Sequence, residues 1–466
     1  MTNKFYIDAH VHFFSAGHIP LQQTFDRVLN KVAGTTGKKL KASASLAAAT
    51  PLVPLLPFLI DNKSDKIKAF LEFFDTTASY SINKAVQSSE GIDFIDDYSN
   101  RIKLFTPLIM DFEHSILDYN PSYVGQKLLS DQVLDLESQA KSTHIKDALL
   151  ENKWLILPFL GLDLRRFTDK ENIDNELDDL ISTHSSGIKI IALSEFDKPT
   201  NYLYETYNGY CIGIKLYPSL GCDIWPEDEE RQDINVALIK ELATRELPVT
   251  VHCQKDSYES GDLEIDDTTL INYANPNKWD KLLTKAGNPK VFLNFAHFGG
   301  EEGVKRLVNW RSWKNGDGNT LKNKKFFSAF DNDTKAWTYM IIKLIKTQKN
   351  LYSDLAAFNF EDGKAVASLL WLIYLDDEGL LDQEFEGSIY KLRDKLLFGT
   401  DIPMTMYQYP EYKSQVKDFI KCMSGDFTNK FMFVLPPSSW FEHDSTELIE
   451  NLIDNNPVKF LFEREI

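Results

Sequence analysis

Cysteine is scarce in this chain: four in 466 residues, Cys211, Cys222, Cys253 and Cys422. They form no C-x-x-C pair and are too few for a disulfide scaffold, so reduced thiols in a cytoplasm are the expectation. Positive charge is also short. Fifty-one Lys and Arg against 69 Asp and Glu leave a formal charge of −18, and nucleic-acid backbones or anionic membranes need a basic surface. A small acid in a local basic pocket stays compatible with that balance. No Gly/Ser-rich linker and no internal repeat divides the chain, and no signal peptide precedes its first apolar run. Nor is there a clean membrane span. The most apolar stretch, "ASASLAAATPLVPLLPFLI" (42–60), is broken by Pro51, Pro54 and Pro57, which fits a lid or interface patch rather than a lipid-exposed helix.

What is present is a recurring unit. Eight short apolar runs end in polar residues: 4–12, 101–111, 153–163, 210–218, 247–253, 290–297, 350–356 and 395–401. Helical periodicity fills several of the gaps, as in "DINVALIKELATREL" (233–247). A helix after each strand implies parallel strands, because parallel neighbours need crossovers. The expected fold is therefore α/β, a (β/α)8 barrel of the TIM type, as one domain spanning 1–466. A large helical insertion (15–90) follows strand one and should lie over the barrel mouth. Residues 402–466 form a C-terminal extension with a helix over 445–456.

In such a barrel, functional groups gather at the C-terminal ends of the strands. "FYIDAHVHFF" (5–14) places His10 and His12 two residues apart, hence on one face of a strand, with Asp8 on that face too. Lys215 lies in strand four, His252 ends strand five, His297 ends strand six and Asp401 ends strand eight. Each alone has a bland explanation. A core histidine bonded to backbone would account for His252 or His297, and a helix cap for Asp401. Together they form a set of imidazoles and one carboxylate that suits Zn²⁺, Mn²⁺ or Fe²⁺.

The stretches "IDAHVHFF", "GIKLYP", "VTVHC", "NFAHFGG", "LLFGTDIPM" and "NPVKFLF" resemble, in order, the amidohydrolase superfamily. The nearest branch is that of metal-dependent hydrolases and aminocarboxymuconate-semialdehyde-type decarboxylases. The resemblance implies a metal held by His10, His12, His252 and Asp401, with His297 beside it. It implies one divalent ion, Zn²⁺ first, and a second if Lys215 is carbamylated, with His252 and His297 then holding that second ion. A bound ion would bring the pKa of a water toward ~7. Asp401 would shuttle the proton, and His297 would polarise a carbonyl or steady an oxyanion.

Lys215 leaves three roles open: pairing with Asp401, gripping a substrate carboxylate, or carbamylation. Around the mouth lie Asp111, His114, Arg165, Arg166, Tyr217, Trp225 and Asp354. Arg165 and Tyr217 are candidate substrate contacts, Arg165 or Arg166 as a bidentate carboxylate clamp. His18, His144, His184 and His443 read as surface residues. The expected activity is hydrolysis of a small amide, ester or lactone-like carbonyl compound. A non-oxidative decarboxylase on the same site is one alternative, and a catalytically silent binding barrel is another. The expected partner is a small molecule, with homo-oligomerisation left open.

Overall fold

A computed structural model describes residues 4–13, 82, 85–87, 92, 94–112, 129–141, 154–196, 209–255, 267–308, 337–383, 385, 387–402, 404–405, 409, 411–426 and 435–463. The 42–60 segment, nearly all of the 15–90 insertion, and His18, His114 and His144 lie outside them.

Among the described residues nine strands appear: β1 (Phe5–Val11), β2 (Ile102–Pro107), β3 (Trp154–Ile156), β4 (Phe159–Leu162), β5 (Gly213–Leu216), β6 (Pro248–His252), β7 (Phe292–Ala296), β8 (Leu351–Asp354) and β9 (Leu396–Leu397). All pair in parallel, in the orders β1-β2-β3 and β4-β5-β6-β7-β8-β9. Seven of the expected runs each hold one strand. The run 153–163 holds two, because Pro158 offers no N–H to a ladder. The chain changes sheet there, with a parallel bridge between Leu108 and Phe159.

Among the described residues no continuous ladder closes the two sheets into one barrel. Single backbone hydrogen bonds nevertheless cross both seams. Ile109 N donates to Phe159 O (3.1 Å) at one seam. At the other, Ala9 N donates to Phe398 O (3.0 Å) and Asp401 N to His10 O (2.8 Å). The second seam sets the last residues of β1 against the turn that carries Asp401.

Helices flank the strands: α1 (Leu129–Lys141), α2 (Ile173–His184), α3 (Glu229–Thr244), α4 (Asp267–Tyr273), α5 (Pro276–Lys285), α6 (Glu301–Leu307), α7 (Trp337–Thr347) and α8 (Gly363–Asp377). Their starts follow local chemistry. Asp228, Asn275 and Asp362 accept from first-turn amides of α3, α5 and α8, satisfying N–H groups that the helix cannot. Pro276 occupies the first turn of α5, where its missing N–H costs nothing. The strands read as apolar runs rather than alternating ones because both of their faces are buried, as β1 is from end to end.

The C-terminal extension contains α9 (Tyr412–Met423), α10 (Ser438–Glu450) and α11 (Asn456–Leu461), the last two joined through a π-helical turn at Asn451–Asn455. The helix expected over 445–456 is thus split. Val458, Phe460 and Leu461 pack with Phe5, Phe159 and Phe292, which begin three of the strands, so α11 floors the end opposite the site. From α9, Gln415 Nε2 donates to Thr400 O (2.9 Å) and Tyr412 Oη meets Tyr6 Oη (2.8 Å). That buttress holds the segment leading into Asp401.

Candidate metal centre

The C-terminal strand ends bring His10, His12, His252, His297, Asp354 and Asp401 into one buried group. His252 and Asp354 are the last residues of β6 and β8, and His297 follows β7 directly. His297 and Asp401 both take left-handed φ values, 68° and 60°, as do the neighbouring Phe298 (50°) and Ala357 (58°). Non-glycine residues held there are strained, and such strain persists where surrounding structure fixes a side chain for use.

Hydrogen-bond logic fixes the ring tautomers. His12 Nδ1 faces Leu108 O at 2.9 Å. A carbonyl only accepts, so Nδ1 carries the hydrogen and Nε2 the lone pair. His10 Nδ1 faces Asp354 Oδ2 at 3.0 Å, with the same result for its Nε2. These two Nε2 atoms lie 3.3 Å apart, and each is 3.3 Å from Asp401 Oδ1. Three acceptors therefore face one another across a nearly equilateral triangle, which is repulsive unless a cation sits among them. An ion bound at the usual Zn–N distance of ~2.0–2.1 Å has tetrahedral ligand edges of about 3.3–3.4 Å. The donor set and its spacing fit a divalent metal.

The electrostatics agree. Burial works against the Asp401 charge, yet His10 and His12 outweigh it and hold the acid well below the carboxylate range. Burial also lowers the His12 imidazolium, keeping it neutral and able to ligate. His10 is the exception. Burial lowers it too, but Asp354 wins and raises it, so a proton on His10 can stand in for the cation.

His252 lies outside this triangle. Its Nδ1 meets His297 Nε2 at 3.1 Å, while its own Nε2 is buried with no hydrogen-bond partner among the described residues. His297 Nδ1 faces Ala356 O at 3.1 Å, so its Nε2 also presents a lone pair. The His252–His297 pair thus has room for one proton or one cation. Burial foremost pushes His297 down to about 4 and His252 well below its ordinary value, leaving both neutral.

Lys215 is buried and its Nζ has no hydrogen-bond partner among the described residues. Burial brings its ammonium down to about 8, against the pull of Asp354 and Asp401. The Tyr217 ring lies 4.2 Å from that of His252, and its centroid 5.7 Å from Lys215 Nζ. With Met110, Phe112 and Leu220 it forms a small apolar cluster beside the centre.

The mouth arginines are engaged elsewhere. Arg165 forks onto Asp163 (Nε–Oδ1 3.0 Å, Nη2–Oδ2 2.6 Å) and also donates to Leu220 O. Arg166 forks onto Asp111 (2.6 and 2.8 Å). Either clamp would have to leave an internal carboxylate before gripping a ligand. Trp225 packs under Lys285, which lies 5.5 Å from its ring. His184 bonds Ser130 Oγ at the end of α2. Asp8 points to Thr400, accepting from its N (3.0 Å) and Oγ1 (2.7 Å).

Two features escaped sequence reasoning. Asp354 was placed only at the mouth, although it carries His10, and Asn294 bonds Asp354 Oδ2 at 2.7 Å. The signal was available in "NLYSDLA", a strand run ending in a lone acid.

No protein-family model and no curated protein matches the chain. Solved structures do align with it over nearly its full length. One, from Acinetobacter baumannii, is described as a 2-pyrone-4,6-dicarboxylic acid hydrolase with citric acid bound. It is 11% identical, covering 99% of each chain, with a TM-score of 0.38. A lactonase from Listeria monocytogenes is 10% identical, covering 100% of this chain and 96% of its own, with a TM-score of 0.40. A structure from Lactobacillus casei described as a metal-dependent hydrolase is 12% identical, covering 99% and 96%, with a TM-score of 0.37. These are loose likenesses, and what the site can do is set by its own side chains.

Proposed function

We propose that this chain is a metal-dependent hydrolase of the amidohydrolase type, acting on a small amide, ester or lactone-like carbonyl compound. One observation carries the reading: the 3.3 Å triangle of lone pairs from His10, His12 and Asp401. Those three residues would hold one divalent ion, with Zn²⁺ the first choice for two imidazoles and a carboxylate. When bound, the ion supplies Lewis acidity and lowers the pKa of a water.

The remaining work falls to the protein. Asp401 is ionised and can take a proton from the attacking water and return it to the leaving group. The neutral His297 fits a proton-accepting role better than an oxyanion donor, since its N–H is spent on Ala356 O. Tyr217 offers an apolar wall beside His252 for the substrate. Arg165 would contribute only after leaving Asp163. A closed eight-unit barrel with 15–90 as its lid, a cytoplasmic setting and a small-molecule partner complete the proposal. Among the described residues no helix is long and apolar enough to cross a membrane.

A second reading adds a second ion. His252 Nδ1 and His297 Nε2, 3.1 Å apart and outside the triangle, form a further ligand pair. Lys215, without a hydrogen bond among the described residues and lowered to about 8, could supply the neutral amine for a bridge. Its Nζ would add to CO2, forming a C–N bond and releasing a proton, to leave an anionic carbamate.

Elemental analysis of the purified chain tests the main reading: about one divalent transition ion per chain is expected, with thermal stabilisation by added Zn²⁺. No ion and no stabilisation would sink it and return the silent barrel. For the reaction itself, 18O from solvent should enter the product, whereas CO2 release without 18O would establish the decarboxylase. Lys215→Ala separates the ion counts. Under the one-ion reading it keeps its metal and mainly raises KM. Under the two-ion reading it loses one of two ions and recovers activity with bicarbonate or short-chain acids.

A further inference from the structure

We propose that Asp354 is a positioning residue that sets, with one carboxylate, which nitrogen both His10 and His297 turn into the site. The inference rests on the metal-centre reading for its consequence, though not for its geometry.

Asp354 is fully buried at the end of β8. Its Oδ2 receives His10 Nδ1 (3.0 Å) and Asn294 Nδ2 (2.7 Å). Its Oδ1 receives the backbone N–H of His297 (2.8 Å) and of Ala356 (3.1 Å). Four donors thus meet the four lone-pair positions of one carboxylate, which only the ionised form can offer.

Control of His10 is direct, because an acceptor-only partner forces the hydrogen onto Nδ1. Control of His297 is indirect. Asp354 Oδ1 pins Ala356 through its N–H, and Ala356 O in turn fixes the hydrogen on His297 Nδ1. The same Oδ1 grips the N–H of His297, whose backbone is left-handed, and Ala357 beyond Ala356 is left-handed too. One side chain therefore holds a ligand of the triangle and the ring beside it in a common register. Asparagine has the same shape but cannot hold both rings. One of its two terminal groups would be an NH2: in the Oδ1 place it opposes two backbone N–H groups, and in the Oδ2 place it is received by His10 only if the ring hydrogen moves from Nδ1 to Nε2.

The test uses the full chain, stripped of metal and labelled with 15N-histidine. Long-range 1H–15N spectra, taken at a pH where His10 is neutral, should show His10, His12 and His297 as Nδ1–H tautomers. In Asp354→Asn, His10 and His297 should lose that fixed form. His12, held by Leu108 O, should keep it as the internal control. Zn²⁺ affinity, by competition with a chromophoric chelator, should fall ~10–100-fold, the usual effect of losing a carboxylate behind a histidine ligand. A variant that keeps the native tautomers and affinity overturns the proposal. If Asp354→Asn does not fold, the unsubstituted chain still decides, since His10 found as the Nε2–H tautomer overturns it. A native chain that binds no Zn²⁺ sinks the metal reading, while the tautomer spectra continue to judge Asp354.

Discussion

Beyond the ends of β2 and β4, Asp111 and Asp163 each meet a guanidinium through two hydrogen bonds. At the end of β1 and beyond β9, His10, His12 and Asp401 turn three acceptors toward one another. Both groups centre on buried carboxylates set around the same rim, and their residue types alone would not rank them. Compensation does. In the first group every charge is matched within the protein, so the group is complete as it stands. In the second the bonds made inside the protein, to Leu108 O and Asp354, use up the Nδ1 donors and turn both Nε2 lone pairs toward the Asp401 carboxylate. A structural cluster satisfies itself, and a binding cluster is satisfied everywhere except toward its ligand.

The contrast breaks first at Asp401. Asp401→Asn should fold and leave the Arg165 and Arg166 pairs intact, yet lower turnover by ~10² or more, the scale of losing a general acid-base group. Native turnover in a folded, metal-holding variant would move the proton shuttle elsewhere, with His297 next in line.

Asp111 should behave in the opposite way. Asp111→Ala leaves the largely buried Arg166 without its partner. Breaking a fully buried pair costs ~3–5 kcal/mol, and partial exposure of Arg166 puts this one at the low end. Denaturant titration should show that loss with the metal content unchanged. A large drop in bound metal instead would mean that the two groups are not separate.

The smallest effect is expected at Asp8, inside the fold but outside both groups. Burial, partly offset by Thr400 and His10, raises its carboxyl to about 7. Its unfolded value is ~3.9, so between these limits the folded chain holds a proton that the unfolded chain has released. Stability should therefore fall as pH rises through that window, with the full penalty above about 7. Asparagine fits here, because Thr400 Oγ1 is a hydroxyl and can accept as well as donate. Asp8→Asn should raise the Tm at pH 8 and match the native chain near pH 4. Parallel pH curves for the two proteins would show that Asp8 is not titrating in that window.

Much of this architecture was legible beforehand. Apolar runs ending in polar residues located every strand to within a few residues, because a strand buried on both faces must be apolar along its length. The one error of count, at 153–163, came from reading Pro158 as an interior residue rather than a break. The i, i+2 spacing of His10 and His12 placed both on one face, and the recurrence of acids and imidazoles at strand ends gathered the site. The sequence was silent on who faces whom. Arg165 looked like an open clamp because Asp163 is only two residues away in a motif that fits a helix start equally well. The fork closed between them is visible only in three dimensions.

Strand identity, strand direction and the residue types at the rim are one-dimensional properties, set by local pattern and burial, and the sequence alone determined them. The tertiary structure decided how the strand ends pair. It separates His252 from the His10–His12–Asp401 triangle and sets it against His297. It gives Asp354 four donors and leaves Lys215 Nζ without a hydrogen bond among the described residues. The physical reason is that a hydrogen bond is settled to within a few tenths of an ångström, whereas a sequence pattern places a side chain only on a face.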